Sequence, residues 1–214
     1  MEWKGLWPYA QALEAQRAQR TGVVAGQRNE AVWLQEHPAV LTLGRRRVTG
    51  LPEAHFFTER GVSIVPTERG GLATFHGPGQ LVGSLILDLR ARGLGARRAV
   101  CGIEWGLIHW LASVGVQARR WDGRPGVWVE QRKIASIGLH IQRGVTLHGF
   151  ALNVDMDLEP FGWFDPCGLP DVQMTSLKNE GISVGTCQEL AFDVANAVLW
   201  SLYESSVDSS REGR

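Results

Sequence analysis

The chain has 214 residues, of which 44% are apolar and 21% charged, and its formal net charge is zero. This composition is typical of a soluble globular protein that forms a core without disulfide bonds. A zero net charge provides no global attraction for nucleic acid, and no run of about 18 or more apolar residues offers a membrane span. We expect one domain over residues 1–203 and a polar, disordered tail over residues 204–214.

The cysteines and the N-terminus bear on the compartment. Three cysteines, Cys101, Cys167 and Cys187, are an odd count, so a disulfide framework is not expected. The N-terminal segment lacks a basic start followed by an apolar core, and it therefore predicts no secretion signal. Both observations favour a cytoplasmic protein whose thiols stay reduced.

The first half of the chain is predicted to mix helices and strands. A first helix is predicted over residues 8–20, with Pro8 in its first turn. Strand-like segments follow at residues 31–36, 39–44, 61–68 and 80–89. Apolar residues then recur every three or four positions from Val100 to Val114, which predicts a helix that ends at Gly115.

The second half is predicted to begin with strands and end with a helix. Strand patterns at residues 125–131, 133–142 and 145–154 follow closely on one another and predict an antiparallel meander. A last helix is predicted near Gln188–Tyr203. Because strands and helices do not alternate strictly, the expected fold class is α/β, with a mixed, largely antiparallel sheet and packed helices.

The segment Glu68–Val82 interleaves glycines with polar residues. Gly70 and Gly71 allow the backbone to approach a ligand closely. The spacing matches neither a phosphate-binding loop nor a dinucleotide fingerprint. Two interpretations stay open for this segment: a ligand-binding loop, or a hairpin with two glycine turns.

Lys133 is the only charged residue on one face of a predicted strand. In an extended segment it shares that face with Ala135, Ile137 and Leu139. One interpretation is that the side chain reaches solvent along its aliphatic stem. The other is a partly desolvated amine, whose pKa burial lowers towards that of a working base.

Cys167 lies between Pro166 and Gly168, in a predicted turn. Free cysteines are more often buried and inert than catalytic, so structural and nucleophilic roles both stay open for Cys167. Cys101 falls within a predicted helix and Cys187 just before one, and we expect both to be structural.

Four motifs occur in register between Glu36 and Leu177: RGGLATFHGPGQLV, KIASIGLHI, HGFALNV and DPCGLPDVQMTSL. Together they closely resemble the octanoyltransferases of lipoate biosynthesis, whose fold is related to that of biotin and lipoate protein ligases. The resemblance implies an acyltransferase that moves an octanoyl group from octanoyl-acyl carrier protein to a lysine of lipoyl domains. The implied acceptors are the lipoyl domains of 2-oxoacid dehydrogenase complexes and the glycine cleavage H protein. A thioester donor is already activated, so no cofactor or metal is implied.

The resemblance also implies roles for particular residues. Cys167 would carry the octanoyl group as a thioester, and Lys133 would be its basic partner. The residues implied to bind the acyl substrate are Arg69, Gly70, Gly71, Leu72, Ala73, Thr74, Phe75, His76, Ser136, Ile137, Gly138, Gly149, Phe150 and Ala151.

Two positions depart from the family pattern. Phe75 stands where the family often has tyrosine, and Gly83-Ser84-Leu85 stands where it often has an aromatic–proline pair. Both departures concern the shape of the acyl pocket. The basic run Arg45–Arg47 is a candidate contact for the acidic carrier. Two alternative functions remain: an ATP-dependent lipoate or biotin protein ligase, and a non-catalytic module that binds the carrier or the lipoyl domain.

Overall fold

A computed structural model of the chain describes residues 1–46, 48, 50–164, 172–183 and 185–207, with side chains in the last helix to residue 204. The elements are β1 Glu2–Leu6, α1 Tyr9–Val24, β2 Ala31–Glu36, β3 Val40–Leu43, α2 Ala54–Thr58, β4 Ser63–Pro66, β5 Ala73–His76, β6 Gln80–Ile86, α3 Ala96–Ser113, β7 Val127–Val129, β8 Arg132–Gln142, β9 Val145–Asn153 and α4 Cys187–Val207. Short 3-10 helices lie at Arg90–Arg92 and Glu159–Trp163.

The strands form two sheets. The larger has six strands in the order β1-β2-β6-β9-β8-β7, and the smaller has three in the order β4-β3-β5. The pairs β1–β2 and β3–β4 are parallel, and the other pairs are antiparallel. The predicted mixed, largely antiparallel class is confirmed, and β7, β8 and β9 form the predicted meander.

The hairpin interpretation of the glycine-rich segment is wrong. β5 pairs with β3 in the small sheet, whereas β6 pairs with β2 and β9 in the large one. The chain crosses between the sheets at Gly79, which has φ +82°. A Cβ on Gly79 would lie 2.3 Å from the carbonyl oxygen of Asp155. Glycine is therefore needed at Gly79 for a close backbone crossing.

The helices pack on the two faces of the large sheet. α3 and α4 cover one face, where the main core includes Ile103, Leu107 and Val198 with Phe150 and Leu152 of β9. A Cβ on Gly106 of α3 would lie 2.4 Å from the Cα of Val198, so this glycine allows the two helices to approach. α1 contacts β6 and β9. A smaller cluster joins it to both sheets through Tyr9, Leu13, Val40 and Leu147.

Several boundaries differ from the prediction. α1 begins after Pro8, α3 begins at Ala96, and α4 continues to Val207, beyond the expected domain end at residue 203. Residues 208–214 lie outside the described part of the chain. No helix in the described ranges is long and apolar enough to cross a membrane.

Candidate functional site

The front cavity, as we name it, has a volume of about 490 Å³ and lies between β8, the loop before β5 and the first turns of α3. Its lining combines several of the residues that the family resemblance implied with residues from α3 and the loop before β7. The lining includes Arg45, Arg46, Glu68, Gly70, Gly71, Leu72, Thr74, Ala96, Val100, Arg124, Trp128, Lys133, Ser136, Ile137, Gly138, Leu139, His140 and Ile141. Two separate motifs, RGG and SIG, therefore meet at one cavity.

Glycines bring these two motifs together. The backbone N–H of Gly70 donates to the carbonyl of Leu139 over 3.1 Å. A Cβ on Gly138 would lie 3.2 Å from Cδ of Arg69 and 3.4 Å from the oxygen of Gly70. A larger residue at Gly138 would therefore push the glycine loop away from β8.

Lys133 lies at the wall of the front cavity and is only 8% exposed. Its Nζ is 5.4 Å from the centroid of the Trp128 ring. Gly126 has φ +132°, and a Cβ there would lie 2.4 Å from Cε of Lys133. The absence of a side chain at Gly126 therefore leaves space for the aliphatic part of Lys133 beside the Trp128 ring. The lysine side chain is therefore buried and does not extend into solvent along its stem.

A bulge in β8 changes the predicted alternation. Ile134 and Ala135 are adjacent in sequence, yet both are fully buried in the main core. The register of β7 with β8 shifts between Val127 and Trp128, opposite this point. Because a bulge disturbs the two-residue period, the predicted strand face of Lys133, Ala135, Ile137 and Leu139 is interrupted at Ile134.

Trp128 is itself held by polar contacts that the sequence did not reveal. It is 1% exposed, and its Nε1–H donates to the carbonyl of Arg124 over 3.2 Å. The buried carboxylate of Glu104 accepts from the N–H of Gly126 over 3.0 Å and from Nε of Arg120 over 2.5 Å. Glu104 therefore links α3 to the loop before β7 and fixes the aromatic wall beside Lys133.

A rear cavity of about 40 Å³ lies behind Thr74, Ser136 and Gly138, which line both cavities. Its lining also includes Tyr9, His37, Arg69, His76, Val82, His148, Gly149, Phe150 and Ala151. Five of the residues implied to bind the acyl chain therefore lie at the rear: Arg69, His76, Gly149, Phe150 and Ala151. The volume admits about one to three waters, not an octanoyl chain.

Burial keeps the rear histidines neutral. It lowers the pKa of His37 from 6.5 to about 4 and that of His148 from 6.5 to about 3. Burial also lowers the pKa of His76 well below 6.5, with His37 adding to the effect. The Tyr9 ring stacks on His76 at 5.5 Å and meets His37 edge-on at 4.9 Å. Burial raises the pKa of Tyr9 to about 12, so this cluster carries no charge at neutral pH.

Arg69 braces the small sheet. It is 8% exposed, and its Nη2 donates to the carbonyl of Thr42 over 2.7 Å and to Oγ1 of Thr42 over 2.9 Å. Its Nη1 donates to the carbonyl of Gly70 over 3.1 Å. The guanidinium therefore stabilises the start of the glycine loop from behind.

A chain of buried hydrogen bonds runs from the glycine-rich segment to Thr175. Nδ1 of His76 is 2.7 Å from Oε1 of Gln80. Nε2 of Gln80 donates to Oδ1 of Asn153 over 2.9 Å, and Nδ2 of Asn153 donates to the carbonyl of Thr175 over 2.8 Å. The N–H of Thr175 in turn donates to the carbonyl of Lys133 over 2.9 Å. This network ties both motifs to the backbone of Lys133.

Ala73 and Phe75 line neither cavity. They alternate with Thr74 along β5 and pack in a second core cluster, where the Phe75 ring is 5.9 Å from that of Phe161. The strand period explains this placement, because neighbouring residues point to opposite faces. The departure from tyrosine at Phe75 therefore changes the core and not a cavity wall.

Cys167 lies outside the described residues, as do Arg47 and residues 165–171. The described residues on either side are anchored: Phe164 is buried in the second core cluster, and Gln173 accepts a hydrogen bond from the N–H of Lys133 over 2.8 Å. Of the other cysteines, Cys187 is buried, which raises its pKa to about 12. Cys101 is half-buried and contacts Nη2 of Arg120 at 3.0 Å.

Comparison with known proteins gives a consistent result. The family model described as lipoyl protein ligase A/B catalytic domain matches residues 8–197. An octanoyltransferase of Azoarcus sp. (strain BH72) is 44% identical over 176 residues, which span 82% of this chain and 73% of that protein. One of Acidobacterium capsulatum is 49% identical over 189 residues, with 81% and 77% covered. The solved structure of a lipoate-protein ligase A bound with ATP has a TM-score of 0.69 at 15% identity and covers 96% of this chain and 85% of its own.

The fold and the matched region define a catalytic domain of the lipoyl protein ligase A/B class. Within that class the chain belongs to the octanoyltransferases, as the four motifs indicated. It is therefore an enzyme, an acyltransferase. The solved ligase supports the fold alone, because its identity to this chain is low.

Proposed function

We propose that this protein transfers an octanoyl group from octanoyl-acyl carrier protein to a specific lysine of a lipoyl domain, in protein lipoylation. The acceptors are lipoyl domains of 2-oxoacid dehydrogenase complexes and the glycine cleavage H protein. Cys167 carries the acyl group as a thioester in a reducing cytoplasm, and Lys133 is its partner. The observation that carries the proposal is the Lys133 amine, 8% exposed at the wall of a cavity of about 490 Å³.

The front cavity is the proposed binding site for the acyl chain. It offers apolar side chains from three elements, including Leu72, Val100, Ile137 and Ile141. Its size lies within the roughly 300–1,000 Å³ range of small-molecule pockets. Burying about seven methylene and methyl groups contributes on the order of 5–6 kcal/mol before ordering costs. That free energy favours a medium chain over an acetyl group.

The remaining residues implied to bind the acyl substrate support this site from behind. Arg69, His76, Gly149, Phe150 and Ala151 shape the rear cavity, which closes the space beyond Thr74 and Ser136. Ala73 and Phe75 hold β5 against the second core cluster. In this proposal they act on the acyl chain through the shape of the wall.

The proposed chemistry has two steps. The Cys167 thiolate attacks the carrier thioester, a new thioester forms, and the carrier leaves as a thiolate that takes up a proton from the Lys133 ammonium. The neutral Lys133 then accepts a proton from the acceptor lysine as that amine attacks the acyl-enzyme. An amide forms, the Cys167 thiolate is released, and Lys133 is again protonated.

The neighbouring histidine is less suited to this proton transfer. His140 also lines the front cavity, but its Nδ1 is 2.9 Å from Nη1 of Arg20. Arginine can only donate, so that ring nitrogen accepts the bond. Burial and then the charge of Arg20 also lower the pKa of His140. These contacts support Lys133 as the group that exchanges protons.

The test separates the proposal from its two alternatives. The purified protein is incubated with octanoyl-carrier protein and a lipoyl domain without ATP, and in parallel with octanoate, ATP and the lipoyl domain. We expect octanoylation of the domain in the first mixture only. Modification in the second mixture would support an ATP-dependent ligase. Binding of both proteins without modification in either mixture would support a non-catalytic module.

A further inference from the structure

The mouth of the front cavity carries an excess of positive charge. Arg45 and Arg46 follow β3, are exposed and line the cavity together with Arg124. Glu68 is the acidic residue among the described lining residues, and it is already engaged. Its two carboxylate oxygens accept hydrogen bonds from Arg17 over 2.9 and 2.7 Å. Within the described lining, the cavity arginines therefore have no carboxylate left to pair with.

Some surface arginines elsewhere are paired with acids. Arg90 pairs with Asp88 over 2.9 Å, and Arg132 pairs with Glu130 over 2.6 Å and with Glu180 over 3.1 Å. Within the described ranges, Arg45, Arg46 and Arg124 take part in no such ion pair. Three arginines that form no ion pair with a described residue therefore lie together in the lining of the front cavity.

Arg97 extends this charge along α3. Ala96 and Val100 line the cavity, and Arg97 is the exposed neighbour of Ala96 in the first turn. At about 3.6 residues per turn, Arg98 lies roughly 200° round the helix from Ala96, away from the cavity. The first turn of α3 contains no acidic residue. A cation there opposes the helix dipole, so Arg97 does not serve the stability of α3.

We name Arg45, Arg46, Arg97 and Arg124 the rim surface. Whether the rim surface contacts the carrier or the acceptor depends on how far each protein body lies from its reacting group. A carrier presents its thioester on a long flexible arm, so its body can dock at a distance from the cavity. An acceptor lysine reaches roughly 6 Å from its Cα, given bonds of about 1.5 Å. The acceptor backbone must therefore come directly to the rim.

We propose that the rim surface is the docking site for an acidic face that surrounds the target lysine of the acceptor protein. This inference rests on the proposed function and adds the surface that selects its acceptor. Charge complementarity at such a rim accelerates encounter and orients the partner, and its effect weakens as salt increases. The carrier, which is also acidic, is the other partner that the test must distinguish.

The test uses Arg97→Glu and Arg46→Glu/Arg97→Glu, with Arg98→Glu as the matched control on the same helical turn. Acyl-enzyme formation from octanoyl-carrier protein and transfer to a lipoyl domain are measured separately. We expect Arg97→Glu to raise the KM for the lipoyl domain by about tenfold, and the double variant by more. For Arg97→Glu, whose residue is not among those that line the cavity, the rate constant for transfer to a small lysine derivative should stay within about twofold of wild type. Arg98→Glu should change the KM by less than about twofold.

Three outcomes would overturn the inference. The first is an unchanged KM for the lipoyl domain in the double variant. The second is an increase of this KM in Arg98→Glu equal to that in Arg97→Glu. The third is a defect confined to acyl-enzyme formation, which would assign the rim surface to the carrier. Direct binding of the lipoyl domain is measured in the absence of donor. If the wild-type protein binds the lipoyl domain more tightly than Arg97→Glu does but transfers no octanoyl group, the proposed function is contradicted. The rim surface would still be supported as a docking site.

Discussion

The front and rear cavities share a wall but differ in charge. The front cavity has Lys133 and three arginines in its lining, and its acidic residue, Glu68, is already bound to Arg17. The described lining of the rear cavity contains one cation, Arg69, which is hydrogen-bonded to Thr42 and Gly70, and histidines that burial keeps neutral, including His37 and His148. Thr74, Ser136 and Gly138 separate the two.

This difference indicates a division of labour within one motif. The backbone of the glycine loop faces the front cavity, whose lining includes Lys133 and three arginines. His76, a few residues further along the chain, joins the buried hydrogen-bond network to Gln80 and Asn153. The cations at the front line a cavity that a substrate can enter, whereas the buried groups at the rear form the scaffold behind it. Changes at the front should therefore affect rates, and changes at the rear should affect stability.

The largest effect is expected at the front. Lys133→Ala should slow octanoyl transfer to the lipoyl domain by about 10³-fold, within the usual range for loss of a general acid–base group. The protein should remain folded because the amine borders a cavity. Lys133→Arg is the control: it keeps a cation beside Trp128 but does not deprotonate at neutral pH. Single-turnover rates of octanoyl transfer are measured for both variants. Wild-type rates in either variant would contradict the proton-transfer role of Lys133.

A large effect on stability is expected at the rear. Asn153→Leu leaves the amide of Gln80 and the carbonyl of Thr175 without their partner, and Asn153 is 1% exposed. We expect the free energy of unfolding to fall by about 3 kcal/mol. Asn196→Leu, on the exposed face of α4, should change it by less than about 0.5 kcal/mol. Urea denaturation measures both, and equal midpoints would refute the structural role of the network.

The rear histidines predict a pH dependence of stability. The pKa of His37 is about 4 in the folded protein and 6.5 in its unperturbed state, so the unfolded chain binds the proton first as pH falls. Stability is complete above pH 6.5 and declines between pH 6.5 and 4. From pH 7 to pH 5, His37 should remove about 2 kcal/mol.

His37→Gln tests this dependence, because glutamine does not titrate. The loss of unfolding free energy between pH 7 and pH 5 should shrink by about 2 kcal/mol in this variant. His55→Gln is the control, since the His55 side chain is 67% exposed. An unchanged pH slope in His37→Gln, or an equal change in His55→Gln, would contradict neutral burial at the rear. The lowered pKa of Glu68 acts only below its unperturbed value of 4.5 and does not enter this range.

The smallest effect is expected at Phe75, which contacts neither cavity. Phe75→Tyr places a hydroxyl in the second core cluster and should lower the free energy of unfolding by about 1 kcal/mol. The ratio of transfer rates for hexanoyl and octanoyl donors should stay within about twofold of wild type. A larger change in this ratio would show that Phe75 contacts the acyl chain after all.

Much of the local structure could be predicted from the sequence. Hydrophobic periodicity indicated the long helices and the meander, because each pattern lies within one element. The pairing of strands into two sheets could not be predicted, since β5 and β6 are neighbours in sequence but pair with distant strands. The edge strand β1 and the short helix α2 lack a strong pattern of their own.

The site was predicted only in part for the same reason. Gly70 and Gly71 indicated a close approach of the backbone to a ligand, but the contact of Gly70 with Leu139 of β8 was not predicted. Tyr9, His37 and Trp128 come from remote elements and have no local pattern that points to the site. The bulge at Ile134 also escaped prediction, because it depends on the partner strand.

The central claim is that an octanoyl group passes through Cys167. The most direct measurement is intact-mass analysis of the protein after incubation with octanoyl-carrier protein and no acceptor, followed by peptide mapping. We predict one octanoyl increment on Cys167, labile to hydroxylamine, which disappears when a lipoyl domain is added. An increment of the same kind in Cys167→Ser, or transfer to the lipoyl domain with normal rates in that variant, would contradict the claim.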